Sequence, residues 1–110
     1  MLTRENAIEK VKAFTEAVAA SGLPLDKVIL FGSFAKNLQQ EYSDIDVALV
    51  SNIFSGFGFE DRKFFSKINN QKDFIDIETK TYPSAYFENG DPFISEINKT
   101  GILIYKSPNQ

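Results

Sequence analysis

The chain contains no cysteine and no histidine. Without cysteine there is no disulfide framework, thiolate nucleophile, zinc–cysteine site or redox pair. Without histidine the Ser-His-Asp and Cys-His arrangements are excluded, and the commonest general base is missing. Any catalysis must run on Asp, Glu, Lys, Arg, Tyr, Ser or a metal. Only oxygen ligands could hold that metal, which points to a hard cation such as Mg²⁺. There is no Lys/Arg cluster, so no extensive nucleic-acid surface is expected. No apolar run approaches transmembrane length. The opening MLTRENAIEK lacks the apolar core of a signal peptide, so a cytoplasmic protein with no membrane contact is expected.

What is present describes one globular domain. The 110 residues are 43% hydrophobic and 25% charged, with a net charge of −3. A chain of this size buries about two-thirds of the surface it exposes when unfolded, enough for one core. Residues 1–106 are expected to form a single domain and 107–110 a disordered tail. Acidic charge is concentrated late: between Asp73 and Glu96 there are six acids and one base, Lys80.

Residues 4–20 show helical periodicity, with Ile8, Val11, Phe14 and Val18 on one face, Thr3 as cap and Gly22 beyond the end. Residues 27–31 form a continuous apolar run, as in a strand buried on both faces. FAKNL (34–38) predicts one or two helical turns. A second strand is expected over 44–50, and a loop with phenylalanine anchors, or an apolar docking patch, over 51–59. The spacing predicts a helix over 60–68 with Phe64, Phe65 and Ile68 facing in, and an alternating strand over 74–80. Tyr82, Tyr86 and Phe87 either extend that patch or pack inside. Asp91-Pro92 opens a helix to about residue 98, and 102–105 is a last strand. The expected fold class is α/β, a small mixed sheet with helices packed on one face and carboxylates at its exposed end.

Asp44 and Asp46 carry the chemistry. At i and i+2 of a strand they share a face, roughly 6.6 Å apart, and repel each other. Ile45, Val47 and Leu49 bury the opposite face and so force the carboxylates out. A cation between them would relieve the repulsion; a solvated edge face is the plainer alternative. Gly32-Ser33 ends the first strand, where backbone N–H groups and a hydroxyl suit a phosphate. Lys36, one turn on, can lean towards the same anion or simply sit at the surface. Asp76 lies between Ile75 and Ile77, and beside the DIDVALV strand it would complete three carboxylates facing the phosphate turn, the layout of a two-metal phosphoryl-transfer site. Glu78, on the same face, competes for that place.

VILFGSFAKNLQQEYSDIDVALV resembles the signature of the minimal nucleotidyltransferases of the DNA polymerase β superfamily: Gly32-Ser33, ten residues, then Asp44-Ile45-Asp46. Ile75-Asp76-Ile77 is similar to the family's third acidic unit, and SEINKTGILIY to its closing helix and strand, so the likeness covers about residues 5–106. The resemblance implies nucleotidyl transfer, AMP from ATP or another NTP, onto an acceptor hydroxyl with Mg²⁺. It implies Asp44, Asp46 and Asp76 as metal ligands and catalytic acids, and Gly32, Ser33 and Lys36 as nucleotide contacts. It also implies a HEPN-type toxin as partner, whose tyrosine some members modify; occlusion of the toxin without catalysis is the alternative. Lys36-Asn37 stands where the family usually has Arg-Gly. Lysine cannot copy the arginine fork, and Asn37 is expected to stiffen or reshape the loop. With no second domain in the sequence, the partner or a second copy of this chain, as a homodimer, must present the acceptor.

Overall fold

A computed structural model describes residues 2–108; Met1, Asn109 and Gln110 lie outside the described residues. Helix α1 (Arg4–Ala20) begins where expected. The Thr3 hydroxyl accepts from the Asn6 amide at 3.0 Å, and the Asn6 side chain reaches back to the Thr3 amide. Val11, Phe14 and Val18 on its inner face are fully buried, each contributing about 1.5–3 kcal/mol by leaving water.

Strands β1 (Lys27–Phe31), β2 (Ile45–Ser51), β3 (Ile77–Pro83) and β4 (Ile102–Lys106) form one sheet in the order β3-β2-β1-β4. β1 pairs antiparallel with β2 and β4, and β2 pairs parallel with β3. This is the expected mixed α/β sheet. Between β2 and β3 the chain crosses through α2 (Gly58–Asp61), a 3-10 turn (Arg62–Phe64) and α3 (Ser66–Asn69). After β3 come α4 (Ser84–Asn89) and α5 (Pro92–Thr100), the latter capped by Asp91, whose carboxylate accepts from the Ile94 amide at 2.7 Å.

The sheet has two faces with different fates. Val28, Leu30, Ile45, Val47 and Leu49 face α1 in the larger core, joined by Phe34, Phe54, Phe65 and Phe74. On the opposite face Ile29, Ala48, Val50 and Tyr82 meet Phe87 of α4 and Ile94 and Ile97 of α5. Helical cover therefore extends to the second face, beyond the expected single layer. At the start of β2, Asp46 lines a cleft with Phe93 and Ile97 of α5.

Several boundaries moved. FAKNL forms a turn instead of a helix: Phe34 and Ala35 are drawn into the core, and Leu38 bonds back to Ser33 O at 2.8 Å. The helix expected over 60–68 is broken into short pieces, with Phe65 buried and Phe64 43% exposed. The third strand starts at Ile77, because Phe74 turns inward against Phe14, ring centroids 5.5 Å apart. Of the loop phenylalanines, Phe54 is an anchor while Phe57 and Phe59 are exposed. Within the expected tail, the Ser107 amide donates to Asp26 O at 2.8 Å; the last two residues lie outside the described residues.

Candidate functional site

Gly32 takes φ +75°, and a Cβ there would lie 2.3 Å from Asp46 Oδ2. Glycine is therefore needed twice, for the left-handed turn and for the approach of the carboxylate. Phe31, just before it, is the register partner of Asp46. The turn that follows is pinned by buried Phe34 and Ala35, and Lys36 N bonds to Gly32 O at 3.2 Å. Asn37 adopts φ 58°, which asparagine tolerates, so the departure from Arg-Gly leaves this turn closed. Since no helix forms here, Ser33 offers a hydroxyl and turn amides, without a helix dipole.

Asp46 is half-buried, Asp44 exposed. In the parallel pairing the register partner of Asp46 is Glu78, on a strand about 4.8 Å away. Burial, then the charge of Glu78, then that of Asp44 hold the Asp46 carboxyl above its ordinary 3.8. Asp76 is placed differently. It lies in the turn before β3, and its carboxylate takes Lys10 Nζ of α1 at 3.0 and 3.2 Å. Asp76 O accepts from Ile45 N at 3.1 Å, which sets its backbone beside Asp44, while its carboxylate pairs with Lys10. Glu78 lies opposite Asp46, so the two acids compete for the third place. Lys36 reaches the same region, 3.8 Å from Glu96 of α5. With Phe31, Gly32, Asp46, Phe93 and Ile97 these two line a cleft of ≈ 280 Å³.

The donor set fits a hard divalent cation: oxygen ligands only, carrying uncompensated negative charge around Asp46. Among the described residues no three acids already stand in a coordinating group, so exposed Asp44 and Glu78 would have to close in on Asp46.

The sequence model of the nucleotidyltransferase domain family matches residues 11–104. The chain belongs to this family. Solved structures share its fold. A protein from Sulfolobus solfataricus assigned as a nucleotidyltransferase is 21% identical with a TM-score of 0.69, over 94% of this chain and 83% of that one. A toxin–antitoxin complex with AMP-PNP is 16% identical with a TM-score of 0.55, and a variant of the toxin–antitoxin pair MntA–HpeT, with two aspartates changed to glutamate, 16% with 0.60; each match covers 89% of this chain and 75% of the other. No curated protein sequence matches this nucleotidyltransferase domain. No described helix is long and apolar enough to cross a membrane.

One feature escaped the sequence reading. Buried Asp61 accepts from Ser55 N, Ser55 Oγ, Gly56 N and Thr81 Oγ1 at 2.7–3.1 Å, tying the loop after β2 to β3. Nothing in GFEDRKFF marks that aspartate as buried. The third acid was left open between Asp76 and Glu78 by the sequence.

Proposed function

We propose that this domain transfers a nucleotidyl group, AMP from ATP, onto an acceptor hydroxyl with Mg²⁺. The observation that carries this reading is the register of Asp46 beside Glu78, with Asp44 adjacent and Gly32 cut away to admit the carboxylate. Asp44, Asp46 and Glu78 would hold the metal, with Glu78 in the role first expected of Asp76. The bound cation supplies charge neutralisation on the phosphoryl oxygens. Gly32 and Ser33 receive phosphate oxygens through the turn, and Lys36 adds a cation at the rim. Catalysis is then positioning and electrostatics, the main needs of phosphoryl transfer. The acceptor is a hydroxyl of a partner protein, a tyrosine of a HEPN-type toxin, which the toxin–antitoxin neighbours favour. The domain acts in the cytoplasm.

Incubation with labelled ATP, Mg²⁺ and the toxin partner tests this. Label should pass to the partner with the wild type and not with Asp44→Asn/Asp46→Asn. No transfer by the wild type overturns the reading. A second reading, an antitoxin that occludes its partner without catalysis, is favoured by Lys36, which is engaged by Glu96 instead of facing an open anion site.

A further inference from the structure

The loop from Leu38 to Ser43 is tied to the site at both ends. Leu38 N donates to Ser33 O of the glycine turn at 2.8 Å, and Asp44 follows Ser43 directly. Between these ends the chain turns tightly: Ser43 N donates to Gln40 O at 3.1 Å, and Gln40 N to Ser43 Oγ at 2.8 Å. Tyr42 stands at the tip of that turn, 90% exposed. A lone exposed aromatic ordinarily needs no explanation; its place sets this one apart. Two residues of chain, at most about 7 Å, separate its Cα from that of Asp44. The other three tyrosines are engaged elsewhere. Tyr82 is buried. Tyr86 donates its hydroxyl to Asp91 at 2.6 Å. Tyr105 of β4 packs against the core under α1. Of the four, Tyr42 holds its side chain almost wholly in water, and its hydroxyl makes no hydrogen bond to a described residue.

We propose that Tyr42 is an acceptor for this chain's own transfer chemistry, so that the domain nucleotidylates itself, within one molecule, on the turn beside Asp44. The proposal rests on the reading of Asp44 and Asp46 as a nucleotidyl-transfer site. In the step, Tyr42 Oη attacks the α-phosphorus of ATP. The bond from Oη to phosphorus forms, the bond from that phosphorus to the bridging oxygen breaks, and pyrophosphate leaves. The phenol proton passes to water. The product is a phosphodiester between AMP and Tyr42. A phenol tethered next to the acids makes the reaction unimolecular, which replaces the binding of a separate acceptor. The tie of the loop to Ser33 and to β2 keeps that phenol close to the site even though its side chain is free.

The full chain incubated with Mg²⁺ and ATP labelled at the α- or the γ-phosphate tests this. The α-label should enter the tryptic fragment of residues 37–62, in which Tyr42 is the only tyrosine, and the γ-label should not. Tyr42→Phe, an exposed change that the fold tolerates, should lose self-labelling and keep transfer to the toxin partner. The fraction labelled per minute should not change when the protein is diluted. Nitration by tetranitromethane gives a readout without turnover: Mg²⁺ with α,β-methylene-ATP should protect Tyr42. Label on the partner but none on the chain overturns the proposal and leaves the transfer reading standing. Self-labelling that survives Tyr42→Phe, a rate that rises with protein concentration, or nitration of Tyr42 unaffected by the nucleotide also overturns it. Label on neither chain nor partner overturns the transfer reading, and the proposal with it.

Discussion

Gly32 is the residue on which the site geometry turns. Gly32→Ala places a methyl against the Asp46 carboxylate and forces alanine to φ +75°. It should cost about 1–2 kcal/mol in a urea melt and displace Asp46 enough to abolish transfer. The acids can be told apart. Glu78→Gln should lower transfer by about 100-fold or more. Asp76→Asn breaks a part-exposed pair with Lys10, should cost no more than about 1 kcal/mol, and should leave transfer largely intact; the reverse pattern in a transfer assay would restore Asp76 to the site. Asp46 also sets a pH signature. A carboxyl raised in the folded state favours folding when protonated, and that contribution fades as pH rises from 3.8 through its folded value. Without metal, Asp46→Asn should therefore be more stable than wild type at neutral pH, with the gap closing in acid. Stability of the two proteins measured from pH 3 to 7 checks this.

At the scale of elements, Asp61 joins the loop after β2 to β3. Burial alone would raise its carboxyl, but hydrogen bonds from Ser55, Thr81 and Gly56 hold it below 3.8. Its contribution is full above 3.8 and is lost as pH falls from there through the folded value. Asp61→Ala should cost about 2–4 kcal/mol, since it orphans several donors, and a urea midpoint at pH 7 reads it. The elements that sequence made legible are those with one dominant pattern. α1 has helical periodicity and a cap. β1 is a continuous apolar run, and β2 carries the apolar stretch 47–50 behind Asp46. α5 has Asp91-Pro92 at its start. FIDIETK was ambiguous because Phe74 and Ile77 both have apolar destinations, the first in the α1 core and the second in the strand. The same ambiguity left Asp76 and Glu78 both open as the third acid. Asp44 and Asp46 could be read because burial of Ile45 and Val47 fixes their face. The pairing of Asp76 with Lys10, 66 positions away, could not be read.

For the whole molecule, the two proposed readings differ in whether protection against a partner toxin requires chemistry. Asp44→Asn with Asp46→Asn keeps side-chain size and removes repulsion, so the fold should survive. If transfer is the mechanism, cells carrying the toxin and this double variant should lose protection along with label incorporation. Full protection by the folded variant would instead establish occlusion.

The parallel pairing of β2 with β3 has a kinetic consequence. β1 and β2 can meet early across residues 32–44, but β3 reaches β2 only after residues 52–76 have crossed over. Such non-local pairing is slow, because the loop must close before its contacts form. Glu78 arrives beside Asp46 only when β3 pairs. On the proposed reading, a newly made chain has its glycine turn and paired aspartates before Glu78 joins them, and gains competence for transfer only when β3 has paired.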